Sequence, residues 1–197
     1  MKYKNTLGYY DDHADEFYKS TVTVEFTAIQ ERFLAKLEAD SYILDFGCGS
    51  GRDTKYFLEK GYRVDAIDGS KELCRLAGDF VGAEVKNMFF EELSEVDKYD
   101  GIWACSSILH LPIDELTNVM RKMAVALKEN GVIYTSFKYG TFTGERNGRF
   151  FTDMTEEAFA DFLRRIDGLN VEEQWVTSDV RPGRGAEQWL NLILRKR

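Results

Sequence analysis

Little in this chain is suited to cross-linking it, holding a metal or carrying it through a membrane. Its three cysteines, Cys48, Cys74 and Cys105, are an odd number with no CxxC pair, which argues against a disulfide framework or a thiolate zinc site. Only two histidines occur and no ligand cluster forms around them, so no metal is expected. There are two prolines, Pro112 and Pro182, no internal repeat and no low-complexity linker. No apolar run approaches the roughly 20 residues of a membrane span. Met1-Lys2-Tyr3-Lys4-Asn5 leads into polar and acidic residues rather than an apolar signal region, so a cytoplasmic location without membrane contact is expected. Positive charge is also short: 26 Lys and Arg stand against 34 Asp and Glu, a net charge of −8, which argues against a broad footprint on nucleic acid. Arg181, Arg184, Arg195, Lys196 and Arg197 crowd the C-terminus, either as a local basic patch or as a solvated terminal strand.

What is present is ordinary globular composition, 197 residues with 44% hydrophobic and 30% charged. The chain is expected to form one domain over 1–197, with residues 1–40 as an N-terminal helical cap or flap. Phe26, Ile29, Phe33, Leu34 and Leu37 recur at the spacing of one helix face. Short strands then alternate with helices. Strands are expected at 43–46, 63–68, 83–88, 101–105 and 132–137. Helices are expected at 52–60, after Ser70 as N-cap, at 114–128 with Gly131 as its stop, and after Thr155. Strands at about 171–177 and 188–194 are separated only by a loop and read as a hairpin, so one of them runs antiparallel. The pattern predicts an α/β fold, a Rossmann-like three-layer sandwich whose mostly parallel sheet carries ligands beyond the carboxyl ends of its strands.

The decisive motif is Asp45-Phe46-Gly47-Cys48-Gly49-Ser50-Gly51, between the first strand and its helix. Glycines here let a ligand approach bare backbone at a helix N-terminus. A P-loop requires GxxxxGK[ST], and this chain lacks that lysine. A dinucleotide fingerprint requires GxGxxG; here the third glycine comes one residue early. Asp45 at the head of the loop repels a pyrophosphate but suits a ligand bearing an ammonium or a sulfonium, and S-adenosylmethionine has both. Asp68, seventeen residues past Gly51 at the end of the second strand, stands where an acid reaches ribose hydroxyls in Rossmann-like folds.

These residues resemble the class I S-adenosylmethionine-dependent methyltransferases. The resemblance rests on Leu44–Gly51 and Val64–Ser70 and extends through Tyr99–Cys105 and Leu127–Val132. It implies a seven-stranded sheet with an antiparallel last strand and S-adenosylhomocysteine as product. It further implies that Asp45 and the Gly47, Cys48, Gly49 and Gly51 backbone hold the methionine end, while Asp68, with Gly69 and Ser70 beside it, holds the ribose. Asn87, Met88 and Phe89 then frame the adenine. Many family members place an aspartate near Phe89; this chain has none, so backbone and apolar contacts must serve. Gly51-Arg52 with its polar neighbour resembles the small tellurite-resistance-type and thiol-type methyltransferases. Arg52 either pairs with a carboxylate of cofactor or substrate or simply starts its helix. Tyr10 and Tyr18 either form the aromatic flap seen over the cofactor in many small-molecule methyltransferases or pack helices.

The acceptor side is read from fewer signals. His110, just after the fourth strand, is the candidate general base, or else a histidine that shapes the pocket. Cys105 and Ser106 precede it and are candidate cofactor contacts, Ser106 alternatively a cap of the next helix; Cys48 and Cys105 follow adjacent strands and can approach each other, small buried packing residues being the default. Lys138, Tyr139 and Arg149, in a glycine-rich segment that reads as a mobile polar loop, and Arg181 beyond it, either hold an anionic substrate or form solvated loops. Trp189 reads as core. The expected partner is a compact small-molecule acceptor, and the protein is expected as monomer or homodimer. A non-catalytic cofactor-binding protein and a NAD-type oxidoreductase are the alternatives.

Overall fold

A computed structural model describes residues 4–181 and 183–197. Met1 to Tyr3, read above for a leader, and Pro182 lie outside the described residues. The first segment folds into three short helices, α1 (Lys4–Asp12), α2 (Ala14–Thr21) and α3 (Thr27–Leu34). The alternating part follows: β1 (Tyr42–Phe46), α4 (Arg52–Glu59), β2 (Arg63–Asp68), α5 (Lys71–Val81), β3 (Lys86–Asn87), β4 (Tyr99–Ala104), α6 (Ile113–Ala126) and β5 (Leu127–Lys138). A small hairpin, β6 (Thr143–Arg146) and β7 (Arg149–Thr152), precedes α7 (Glu156–Leu163), β8 (Leu169–Ser178) and β9 (Gln188–Lys196).

Seven strands form one sheet in the order β3-β2-β1-β4-β5-β9-β8. The first five are parallel, and β9 runs antiparallel to both β5 and β8. The predicted fold class and terminal hairpin are therefore observed. Strand order reverses between β1 and β4, so the connections leaving their carboxyl ends run in opposite directions, which marks the crevice that open α/β sheets use for ligands.

The sheet is covered on both faces because its central strands are apolar on both sides. Leu44, Ile102 and Ile133 face one layer, with Leu116, Met120 and Met123 of α6 and Phe159 of α7. Their neighbours Ile43, Trp103 and Val132 face the other, with Phe33 and Leu34 of α3 and Phe57 of α4. Trp103 is fully buried, stacked on Tyr134 with centroids 4.1 Å apart. The helix caps read from the sequence are in place: Ser70 Oγ accepts from Leu73 N–H and Thr155 Oγ1 from Ala158 N–H, each worth about 1 kcal/mol.

Three expectations fail locally. The third strand is two residues long, since only Lys86 and Asn87 pair with β2. Helix α6 ends at Ala126, and Gly131 lies inside β5 rather than stopping a helix. The segment read as a mobile loop is largely the β6–β7 hairpin, turned by Asn147 (φ 50°) and Gly148 (φ 76°). Asn-Gly with both residues at positive φ is the turn that matches strand twist.

Candidate functional site

The floor of the crevice is backbone. Leaving β1, the Gly47 and Cys48 N–H groups both donate to Ile67 O of β2 (3.0 and 2.9 Å). Gly49 N–H donates to Asp68 Oδ2 (2.9 Å), and Ser70 N–H to Asp68 Oδ1 (2.8 Å). The carboxylate thus stitches the glycine loop to the end of β2 and keeps lone pairs to spare. Burial pushes the Asp68 carboxyl up; the two N–H bonds oppose that shift and nearby Asp11 adds to it. Gly51, in the left-handed region at φ 78°, caps α4, and a Cβ there meets Val81 Cγ2 at 2.9 Å. The third glycine therefore serves the packing of α4 on α5. A Cβ on Gly49 (φ 56°) meets the Phe17 ring of α2 at 3.0 Å.

Behind the loop lies a buried polar node centred on Asp53. Its carboxylate accepts from Gln30 Nε2 (2.6 Å), Trp103 Nε1 (2.8 Å) and the Arg52 fork (2.8 and 2.9 Å). Arg52 lies over the Phe26 ring at 4.4 Å and lines the cleft. Asp45, expected at the ligand, is 1% exposed and does not line the cleft. It sits under the loop, accepting from Thr54 Oγ1 (2.5 Å), and burial together with Asp53 pushes its carboxyl well up.

The cleft above this floor has an empty volume of about 1260 Å³ including its open mouth. A smaller cavity of about 400 Å³, lined by Leu7, Gly69 and Phe89, shares Tyr10, Ser107 and His110 with it. The outer wall comes from distant parts of the chain. His110 Nδ1–H donates to Phe150 O (2.6 Å), which leaves Nε2 to accept the Tyr10 hydroxyl (2.9 Å). Arg149 Nη1 donates to the same Tyr10 oxygen (3.4 Å). The tautomer follows from Phe150 O, which can only accept. Burial lowers the His110 pKa to about 4, so the ring is neutral. Burial raises the Tyr10 phenol, against the pull of Arg149. Two other cations on the wall are neutralised: Lys138 pairs with Glu187, and Arg181 forks onto Asp179 (2.9 and 2.5 Å).

Residues 43–131 match the family described as Methyltransferase domain. That match spans a little under half of the chain. Over 100 residues it is 35% identical to the N-terminal Xaa-Pro-Lys N-methyltransferase 1 of Xenopus tropicalis, which covers 47% of this chain and 45% of that protein. The chain spans about half the length of the curated relatives it matches. Among solved structures it is similar to the 1,6-didemethyltoxoflavin-N1-methyltransferase of Burkholderia thailandensis, bound to 1,6-didemethyltoxoflavin and S-adenosylhomocysteine. The TM-score is 0.76 and the identity 23%, over 98% of this chain and 85% of that one. The magnesium protoporphyrin IX methyltransferase of Synechocystis PCC 6803, with bound S-adenosylmethionine, follows at TM-score 0.74 and 14% identity, over 98% and 95% of the two chains. These structural likenesses are of fold.

Within and around the matched region, the cleft brings together Gly47, Cys48, Gly49, Arg52, Asp68, Cys105, Ser106, His110, Lys138, Arg149, Arg181 and Tyr10. It leaves out several expected residues. Tyr18 packs on Phe80, Ser70 is buried as the α5 cap, and Met88 is core. Asn87 donates to the Asp68 and Gly69 carbonyls. Tyr139 is exposed and donates to Glu156 (2.8 Å). Trp189 is a wall residue rather than core, donating to Asp179 (3.1 Å). Cys48 packs with Ala66 and Ala77, and Cys105 against the cluster around Trp103; both thiols are free and both line the cleft. The sequence reading missed Asp53, whose three donors lie on α3, α4 and β4, and Phe17, whose ring faces Gly49. The C-terminal cations are individually paired, Arg195 with Glu172 and Lys196 with Asp97. Among the described residues, no group of side chains is placed to hold a metal and no helix is long and apolar enough to cross a membrane.

Proposed function

We propose that the protein transfers a methyl group from S-adenosylmethionine to a small-molecule acceptor. The observation that carries this reading is the stitched floor: a glycine loop whose Gly49 N–H bonds the Asp68 carboxylate, at the base of an open cleft. The residues fit the cofactor. Asp68 offers free lone pairs to ribose hydroxyls, the small apolar cavity under Gly69 and Phe89 suits a purine face, and Arg52 suits the amino-acid carboxylate. The cofactor, when bound, supplies a methyl group activated by a sulfonium.

The chain's own part is to align the acceptor and exclude water. We assign His110 to positioning rather than to proton abstraction. Both its ring nitrogens are engaged, and the neutral ring is a poor base with its pKa at about 4. The reaction then needs an acceptor that is a nucleophile without help. An N-terminal peptide amine, as the name of the Xenopus relative implies for that protein, is a weaker candidate, because Arg149 repels a peptide bearing ammonium groups.

Calorimetric titration with S-adenosylmethionine, S-adenosylhomocysteine and NAD tests the reading. Binding of the first two without NAD is expected; NAD binding alone overturns it. Formation of S-adenosylhomocysteine with an acceptor panel separates an enzyme from a protein that only binds the cofactor. His110→Asn is expected to raise KM for the acceptor while leaving the shape of the pH–turnover profile unchanged. A lost inflection in that profile returns His110 to the role of base.

A further inference from the structure

We propose that the acceptor enters the cleft as an anion and that Arg149 is its docking cation; this rests on the methyltransferase reading above. Five cations line the cleft: Arg52, Lys138, Arg149, Arg181 and Arg184. Four of them face carboxylates, Asp53 for Arg52, Glu187 for Lys138 and Arg184, and Asp179 for Arg181. Among the described residues Arg149 makes no ion pair. Among the described residues its guanidinium's one hydrogen bond is to Tyr10 Oη (3.4 Å), and its Nε is buried without a partner there. A guanidinium has five N–H donors, and a buried N–H left without a partner is destabilising. Such a group is retained where something else uses it.

The side chain is also held ready. Its guanidinium lies 4.6 Å from the Tyr9 centroid, 5.7 Å from that of Tyr10 and 5.3 Å from that of Phe151. A chain of donors fixes its orientation, running from Arg149 to Tyr10 Oη, from Tyr10 to His110 Nε2, and from His110 Nδ1 to Phe150 O. Arg149 and Phe150 are neighbours on β7, so the chain closes on itself. A planar cation clamped among aromatic rings suits a planar carboxylate, which it grips with two parallel N–H bonds.

The test uses the full chain loaded with S-adenosylhomocysteine. Benzoate, nicotinate and salicylate are each titrated against their neutral carboxamides. At least one carboxylate is expected to bind about tenfold or more tighter than its amide, as one charge-assisted pair gives. Arg149→Gln is expected to abolish that preference, and Arg149→Lys to keep part of it, with S-adenosylhomocysteine affinity changed less than about twofold in both. Equal binding of acids and amides to the wild type, or a preference that survives in Arg149→Gln, overturns the proposal while leaving the methyltransferase reading intact. Failure of the wild type to bind S-adenosylhomocysteine removes that reading instead.

Discussion

The floor of the cleft and its outer wall are held by different kinds of bond. On the floor, backbone N–H groups of Gly47, Cys48, Gly49 and Ser70 meet the Ile67 carbonyl and the Asp68 carboxylate. These partners lie within about one strand–helix–strand unit. On the wall, side chain meets side chain across the molecule: Tyr10 with His110 at a separation of 100 residues, and Arg149 with Tyr10 at 139. A floor built on backbone tolerates most side-chain changes, whereas the Tyr10–His110 and Arg149–Tyr10 contacts each depend on the identity of two residues. The matched family region, 43–131, contains the whole floor and His110 but not Tyr10, Lys138, Arg149 or Arg181. The matched region thus holds the floor, while most of the wall comes from outside it.

The largest effect expected is at the junction of the two, in Asp53→Ala. It strands Gln30, Trp103 and Arg52 without their common acceptor, and breaking a buried ion pair costs about 3–5 kcal/mol. Urea unfolding measures it; a loss under about 1 kcal/mol shows that the node adds nothing to the floor. Next comes the wall's response to acid. With the His110 pKa lowered from 6.5 to about 4, the unfolded chain takes up a proton before the native one does. Stability owed to the neutral ring is therefore full above pH 6.5, drains as pH falls towards 4, and is flat below. Its size is roughly 3 kcal/mol. The raised Asp45 and Asp68 carboxyls act in the opposite sense, so the quantity to follow is the difference between wild type and His110→Asn at pH 7 and pH 4. A pH-independent difference contradicts the burial of His110. On the floor, Asp68→Ala should weaken S-adenosylhomocysteine binding about ten- to a hundredfold, the range of hydrogen bonds to a charged group; unchanged affinity in calorimetry removes Asp68 from the ribose. The smallest effect is Gly49→Ala, where the left-handed backbone costs about 1–2 kcal/mol in unfolding free energy.

The same division governs what was legible in the sequence. Strand β2 is legible to the residue and β1 nearly so, because their short apolar runs meet glycine or an acid at once. The Ser70 and Thr155 caps were legible because a cap is a local bond. Strand β3 was over-read from its valine-containing run, since it is an edge strand with two paired residues. The β6–β7 hairpin carried its Asn147-Gly148 turn signal in plain view, but its polar strands made the segment look like a loop. Asp45 had the expected residue type at the expected place, yet Thr54, nine positions on, claims its carboxylate beneath the loop. Pairings such as Lys138 with Glu187, which separate a neutralised cation from the unpaired Arg149, depend on long-range approach that no local pattern encodes.

The contacts of α1 bear on how the molecule assembles itself. Thr6 Oγ1 accepts from Phe150 N–H at a separation of 144 residues, Tyr10 meets His110, and Asp11 accepts from the Ser70 hydroxyl. A segment made early in synthesis must wait for β4, β5 and the β6–β7 hairpin before its partners exist. Closing loops of that length is entropically costly and yields contacts only once the sheet is in place. Docking of α1 therefore comes late, and competence of the cleft, which needs Tyr10, is acquired after the bulk of the protein is already native.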